Sequence, residues 1–338
     1  MVEARTPKPL TSSRFGVSKG LLTVGISTVA LFILSAVLAP SSVSSGAVLG
    51  MLPFAAVLAI VGLGQMLVVQ QGGIDLSVPG AVSLAIVVTS HQPNGDDSKL
   101  FPAVLTALLF AIIAGALNGF LVGRLGLNAI IATLGTNALL FGAVLAISKG
   151  IPRTVTSLLS SIAGHLTFGV PNAVLFALGL LAIVALLLRK SMAGRRFEAI
   201  GASPAAARAT GLRVQTHSLM AYVWAQLLYA VAGMLLAGIT LQPTAFQGNV
   251  YLLPSVAVVV LGGTSLLGGR GFPVATVVAA LFLSQLDQFV LALGVPFAVR
   301  TLVQAAALAT GVAIYTVDWR AIRRRLSNLR TRAEVPAA

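Results

Sequence analysis

The side chains able to do chemistry are few, and most of them sit beside glycines. The first group is Gly72-Gly73-Ile74-Asp75-Leu76-Ser77-Val78-Pro79-Gly80. Gly72, Gly73 and Gly80 allow positive φ and close backbone approach. Asp75 or Ser77 can cap a helix starting near Val78, with Pro79 in its first turn. On these residues alone, a helix-start turn with no ligand explains the motif. The second group is Leu261-Gly262-Gly263-Thr264-Ser265-Leu266-Leu267-Gly268-Gly269-Arg270-Gly271. A phosphate-binding loop needs Gly-Lys followed by Ser or Thr. Gly269-Arg270-Gly271 stands in that place, so no nucleotide site is expected in this chain. His91, His165 and His217 are scattered, and there is no cysteine. No metal site, thiolate chemistry or disulfide is expected, and no base–nucleophile constellation marks a catalytic centre.

These groups lie in a chain made for lipid. Of its 338 residues, 57% are hydrophobic and 9% are charged, against about 25% charged in a soluble domain. The mean hydropathy is +0.98. Ten apolar stretches are expected to form helices: Leu21–Ala39, Val48–Val69, Val78–Ser90, Phe101–Val122, Ala129–Ile147, Val170–Leu188, Leu219–Leu241, Leu252–Leu267, Val274–Val295 and Val299–Val317. Most approach the ~20 residues needed to cross the hydrocarbon. Val78–Ser90 and Leu252–Leu267 are too short to cross as straight helices, and each adjoins a glycine motif. Broken helices at membrane depth need protein or water to satisfy their backbone, and transporters place them near the substrate path. The first stretch exceeds the usual h-region of a signal peptide, about 7–15 residues, and is expected to stay as a span.

The net charge of +14 would suggest nucleic acid in a soluble protein. Here the positive-inside rule explains it. With the N-terminus in the cytoplasm, 18 of the 22 Lys and Arg residues fall inside and Lys99, Lys149, Arg153 and Arg300 fall outside. The reverse orientation is disfavoured, so both termini are expected in the cytoplasm. The expected organisation is an N-terminal segment 1–19, a transmembrane region 20–317 with a cytoplasmic loop 189–214, and a basic tail 318–338. In that loop Ser203-Pro204 reads as an N-cap and first-turn proline, with Gly211 as the stop. A short capped helix facing the cytosol can serve as a handle for a partner. Arg195, Arg196, Arg208 and Arg213 equally suit anionic lipid.

Polar residues inside the apolar stretches are candidates for the substrate path: Gln65, Asn118, Asn128, Thr133, Asn137, Gln226 and Asp287, with Tyr229 and Gln242 as further polar groups. Interhelical hydrogen bonding explains most of them as well. Asp287 is the only acid well inside an apolar stretch. It could line a cavity, or sit at a boundary with Arg300 as partner. Gly115, Gly119 and Gly123 recur every four residues, which favours close helix packing. Asp96 and Asp97 belong to an outer loop.

Five motifs in order resemble one family. They are Gly72–Ser77, Leu117-Asn118-Gly119, Ile131-Ala132-Thr133-Leu134-Gly135-Thr136, Gly194-Arg195-Arg196-Phe197 with Ala199-Ile200-Gly201, and Leu261–Gly271. Together, from the second stretch to Asp318, the chain resembles the permeases of ribose-type carbohydrate ABC importers. Pro79 and Ser203, the latter where many members have Asn, depart from the family pattern and leave the substrate open.

The resemblance implies a homo- or heterodimer of permeases, two cytosolic ATPase domains and an external sugar-binding protein. ATP and magnesium would then belong to the ATPases, and this chain would need no cofactor. It also implies ATPase coupling by the loop between the sixth and seventh stretches, here through Gly194, Arg195, Arg196, Glu198, Gly201, Ser203, Pro204, Arg208 and Gly211. The expected activity is import of a monosaccharide, pentose or hexose, across the bacterial inner membrane. An importer of nucleosides or of a furanose signal, and an ion-coupled transporter, remain as alternatives. The latter would need more intramembrane ionisable residues than Asp287 supplies.

Overall fold

A computed structural model describes residues 19–296 and, beyond them, 298–299, 301–302, 305–306 and 309. The N-terminal segment, the basic tail, Arg300 and most of the expected tenth span lie outside the described residues.

The described chain is almost wholly helical: α1 (Lys19–Leu38), α2 (Ser45–Gln70), α3 (Val78–His91), α4 (Leu100–Gly123), α5 (Ala129–Ser148), α6 (Ser157–Gly164), α7 (Asn172–Lys190), α8 (Met192–Ala202), α9 (Pro204–Ala209), α10 (Val214–Thr240), α11 (Leu252–Leu261) and α12 (Pro273–Ala292). Two-residue strands, β1 (Leu166–Thr167) and β2 (Val170–Pro171), make a small hairpin between α6 and α7. Among the described residues, seven helical segments are long and apolar enough to cross a membrane, and the segments at 78–91 and 247–261 are shorter.

α2 and α3 form the centre. α2 is buried on every face from Ala55 to Gln70, and α3 from Val78 to Ser90. A helix apolar all round belongs inside a bundle. α10 and α4 pack tightly beside them because Gly115 and Gly119 carry no side chain. A Cβ there would lie 2.5 Å from Val223 Cα and 2.6 Å from Leu219 Cα. α1 and α7 form the rim, with Leu22, Ile26, Val29, Leu178, Ile183 and Leu186 exposed on faces suited to lipid. α1 is also tied inward, since Gln285 Nε2 on α12 donates to Ser35 Oγ at 3.1 Å with both residues buried.

Two segments cross irregularly. The chain leaves α2 at Gln70, turns at Gly72 with φ +80°, and restarts as α3 at Val78. After α10 ends at Thr240, the chain reaches α11 through a 3₁₀ segment, Gln247–Tyr251. That segment lies on the start of α3, where Gly248 N donates to Ser83 Oγ at 3.1 Å. α11 stops at Leu261, six residues before the end of the apolar run. Gly262 and Gly263 turn the chain there, and Leu267 is left 92% exposed.

Candidate functional site

The break between α2 and α3 needs partners for its backbone, and side chains of α2 and α5 supply them. Gln65 on α2 faces Asp75. In the amide orientation that satisfies its neighbours, it accepts from Asp75 N at 3.2 Å and donates to Asp75 O at 3.1 Å. Its nitrogen also reaches the Tyr229 hydroxyl at 2.9 Å. On α5, Thr133 Oγ1 accepts from Leu76 N at 2.9 Å, and Asn137 Oδ1 accepts from Gly80 N at 2.8 Å. These two residues are four apart, so one helix face presents both. The break therefore has the internal satisfaction that irregular backbone at membrane depth requires.

The side chains of the break are held as closely. Asp75 Oδ1 accepts from Ser77 N at 2.8 Å and Ser77 Oγ at 2.5 Å. Gln226 Nε2 on α10 donates to Asp75 Oδ2 at 3.1 Å and Ser77 Oγ at 2.6 Å. Asn118 Nδ2 on α4 donates to Ser77 Oγ at 3.0 Å. Asp75, Ser77, Gln65, Asn118 and Gln226 are all fully buried. Ser77 occupies the N-cap position of α3 but makes no capping bond with its side chain, and Pro79 sits in the first turn. Three buried atoms of this cluster have no hydrogen-bond partner: Asn118 Oδ1, Gln226 Oε1 and the Tyr222 hydroxyl.

The sequence named each of these polar residues separately except Tyr222, which shares a face of α10 with Gln226 and Tyr229. The spacing 222, 226, 229 was the signal for it. Asn128 stands apart as the N-cap of α5, its Oδ1 accepting from Ile130 N at 2.9 Å. Asp287 lies half-buried on α12, away from the break.

A second junction forms where the two glycine motifs meet the loop after α7. Gly269 N donates to Gln70 O at 3.0 Å, and Gln71 Nε2 donates to Phe197 O at 2.9 Å. Gly201 lies directly on the end of α2, where a Cβ would overlap the Gln70 carbonyl oxygen. Glu198 and Arg270 approach to 3.7 Å, and Arg270 also stands over the Phe272 ring at 5.7 Å. Both groups of the ion pair are largely exposed, so it adds little stability.

The loop itself holds two helices where the sequence suggested one. α8 begins at Ser191, whose Oγ accepts from Gly194 N at 2.9 Å. Two interior glycines weaken its helical propensity. α9 begins with Ser203 Oγ accepting from Ala206 N at 3.3 Å and has Pro204 at its start. Gly211 closes it at φ +80°, with Leu212 N bonded to Ala207 O at 3.0 Å, as in a Schellman cap. Arg195, Arg196, Arg208 and Arg213 are exposed.

In the loop before α4, Ser98 donates from its hydroxyl and amide to Asp96 and holds that carboxyl below its usual range. Asp97 Oδ2 accepts from Ser157 Oγ at 2.5 Å, and Oδ1 accepts from Leu158 N at 2.9 Å, capping α6.

A polytopic helical bundle with a broken, internally hydrogen-bonded segment at its centre is an architecture suited to transport. Residues 47–310 match the family described as "Branched-chain amino acid transport system / permease component", and the chain belongs to that family. Its curated relatives include the ribose import permease protein RbsC of Escherichia coli. That protein is 32% identical over 313 residues, covering 90% of this chain and 97% of the relative. A probable ABC transporter permease, y4mJ of Sinorhizobium fredii, is 36% identical and covers 76% of this chain and 77% of its own length. The autoinducer 2 import system permease LsrC of an Enterobacter strain is 35% identical, covering 68% and 67%. No solved structure matches the chain. The resemblance to ribose-type ABC permeases is thus met. The chain is a multi-pass inner-membrane transport subunit rather than an enzyme.

Proposed function

We propose that this chain is the permease of an ATP-driven importer for a monosaccharide, working as a dimer with two cytosolic ATPase domains and an external sugar-binding protein. The supporting observation is the backbone junction between α8 and the break. The exposed α8–α9 loop rests on the Gln70 carbonyl through Gly201, and five residues further along the chain lies Asp75. A push on the loop from an ATPase would reach α2 and α3 without passing through a flexible side chain. The permease itself supplies two states with different contacts to the substrate. Gly194–Gly211 is the ATPase-contacting segment in this reading.

The test is twofold. Crosslinkers placed between 201 and 213 should reach an ATPase subunit encoded beside this chain. Ribose uptake should persist when proton and sodium gradients are collapsed while ATP is maintained. Loss of uptake with the gradients would replace this reading by an ion-coupled one. The LsrC relative favours a second substrate, autoinducer 2. Competition of ribose against autoinducer 2 for uptake separates the two.

A further inference from the structure

α7 is the least enclosed of the long apolar helices. Only Ala173, Ala177 and Val184 are buried on it, and they share one inward face. The opposite face carries Leu175, Gly179, Ala182, Leu186 and Arg189, all of them exposed. Steps of four, three, four and three residues keep these in one straight stripe. Lys190, also exposed, lies one turn beyond Leu186. The face of α7 that meets acyl chains therefore ends in two cations. They are the last residues of the helix, at the depth where long basic side chains leave the hydrocarbon for the headgroups.

α8 adds to this corner from the other side. Gly194 lies on the last turn of α7, where a Cβ would overlap the carbonyl oxygens of Leu187 and Leu188. Gly201, two turns further on, lies on the Gln70 carbonyl at the end of α2. Seven residues of helix span about 10 Å. So α8 runs as a short beam from the rim of the bundle to its centre, and its first half lies at the rim. That half carries Arg195 and Arg196, both exposed, and Met192, whose Sδ accepts from Arg195. Four cations thus fall within the eight residues 189–196. No acid offsets them. Between Asp97 and Asp287 the sequence holds a single carboxylate, Glu198, and Glu198 is paired with Arg270.

We propose that the corner between α7 and α8 binds an anionic phospholipid. The phosphate lies among Arg189, Lys190, Arg195 and Arg196, and the acyl chains run along the stripe from Leu186 back to Leu175. Clustered basic residues at a helix end attract anionic headgroups. An acidic protein surface would satisfy the same cations, but only a lipid also covers the apolar stripe that leads to them. The site stands apart from the importer reading, because its test needs neither ATP nor sugar.

The purified full chain in neutral detergent is titrated with phosphatidylglycerol or with phosphatidylcholine, and bound lipid is counted by native mass spectrometry. The wild type should bind phosphatidylglycerol at least about tenfold more tightly than phosphatidylcholine. Arg189→Gln with Lys190→Gln and Arg196→Gln should bring the two lipids level. Phosphatidylcholine binding should stay unchanged, which also reports an intact bundle. Arg124→Gln with Arg208→Gln and Arg213→Gln removes the same charge elsewhere, from residues that are also exposed. It should leave phosphatidylglycerol affinity within about twofold, since screening confines the effect of a distant charge. The proposal is overturned if the corner variant keeps its preference for phosphatidylglycerol, or if both variants lose it alike. Inorganic phosphate at the same concentration should not displace the lipid. Displacement would make the corner a plain anion site and overturn the lipid assignment. Added ATPase subunits should leave the lipid bound, and its release by them would give the corner to a protein partner instead.

Discussion

Gln65 pairs with both backbone groups of Asp75 inside a fully buried break. Gln65→Leu would strip the partner from one N–H and one C=O at membrane depth. Each orphaned group costs about 1–3 kcal/mol in a buried site, and membrane bundles recover part of that by re-pairing. A net loss of about 2 kcal/mol is expected, read as a lower thermal midpoint in detergent. Thr136→Val is the contrast. Thr136 Oγ1 is buried on α5 without a partner, so an isosteric apolar side chain should be neutral within about 0.5 kcal/mol or slightly stabilising. If the two variants behaved alike, the break would not depend on Gln65. The residues of this cluster were legible one at a time, as polar groups in apolar runs. Their convergence was not, because Gln65 and Tyr229 are 164 positions apart and only the packing of α2 on α10 brings them together.

Helices were the most legible level, because a run of about 20 apolar residues has few other structures available to it in lipid. The four-residue glycine repeat on α4 also stated its purpose in advance. Gly119→Leu would drive a side chain into the backbone of α10 at Leu219. Overpacking of that kind costs about 1–3 kcal/mol or more, and loss of folded protein in detergent extracts is the expected outcome. Gly25→Leu on α1 is the matched control, since nothing lies within 4 Å of a Cβ there. Normal yield of Gly119→Leu would mean that α4 and α10 can part freely. Two element boundaries were hidden. α8 was obscured by Gly194 and Gly201, which lower propensity yet are required for contact with α7 and α2. The apolar run Leu252–Leu267 concealed the turn at Gly262, because Leu266 and Leu267 continue the hydropathy after the helix has ended.

The charges of the sequence predict an orientation, since the expected alternation of ten spans would put 18 of the 22 Lys and Arg residues in the cytoplasm. The folded chain puts the far tip of the β1–β2 hairpin and the α9 surface at opposite ends of α7, one helix of 19 residues. Phe168 at the hairpin tip is 99% exposed, and Ala205 on α9 is exposed as well. Phe168→Cys should therefore react with an impermeant maleimide on intact cells. Ala205→Cys should react only after the membrane is opened. Nothing else in the chain carries a thiol, so each signal belongs to one position. The opposite pattern would put the arginine-rich α8–α9 loop outside the cell, out of reach of any cytosolic ATPase. In that case the junction at Gly201 and Gln70 could not relay a push from nucleotide binding. One labelling experiment thus decides on which side of the membrane the α8–α9 loop lies, and so whether an ATPase there can reach it.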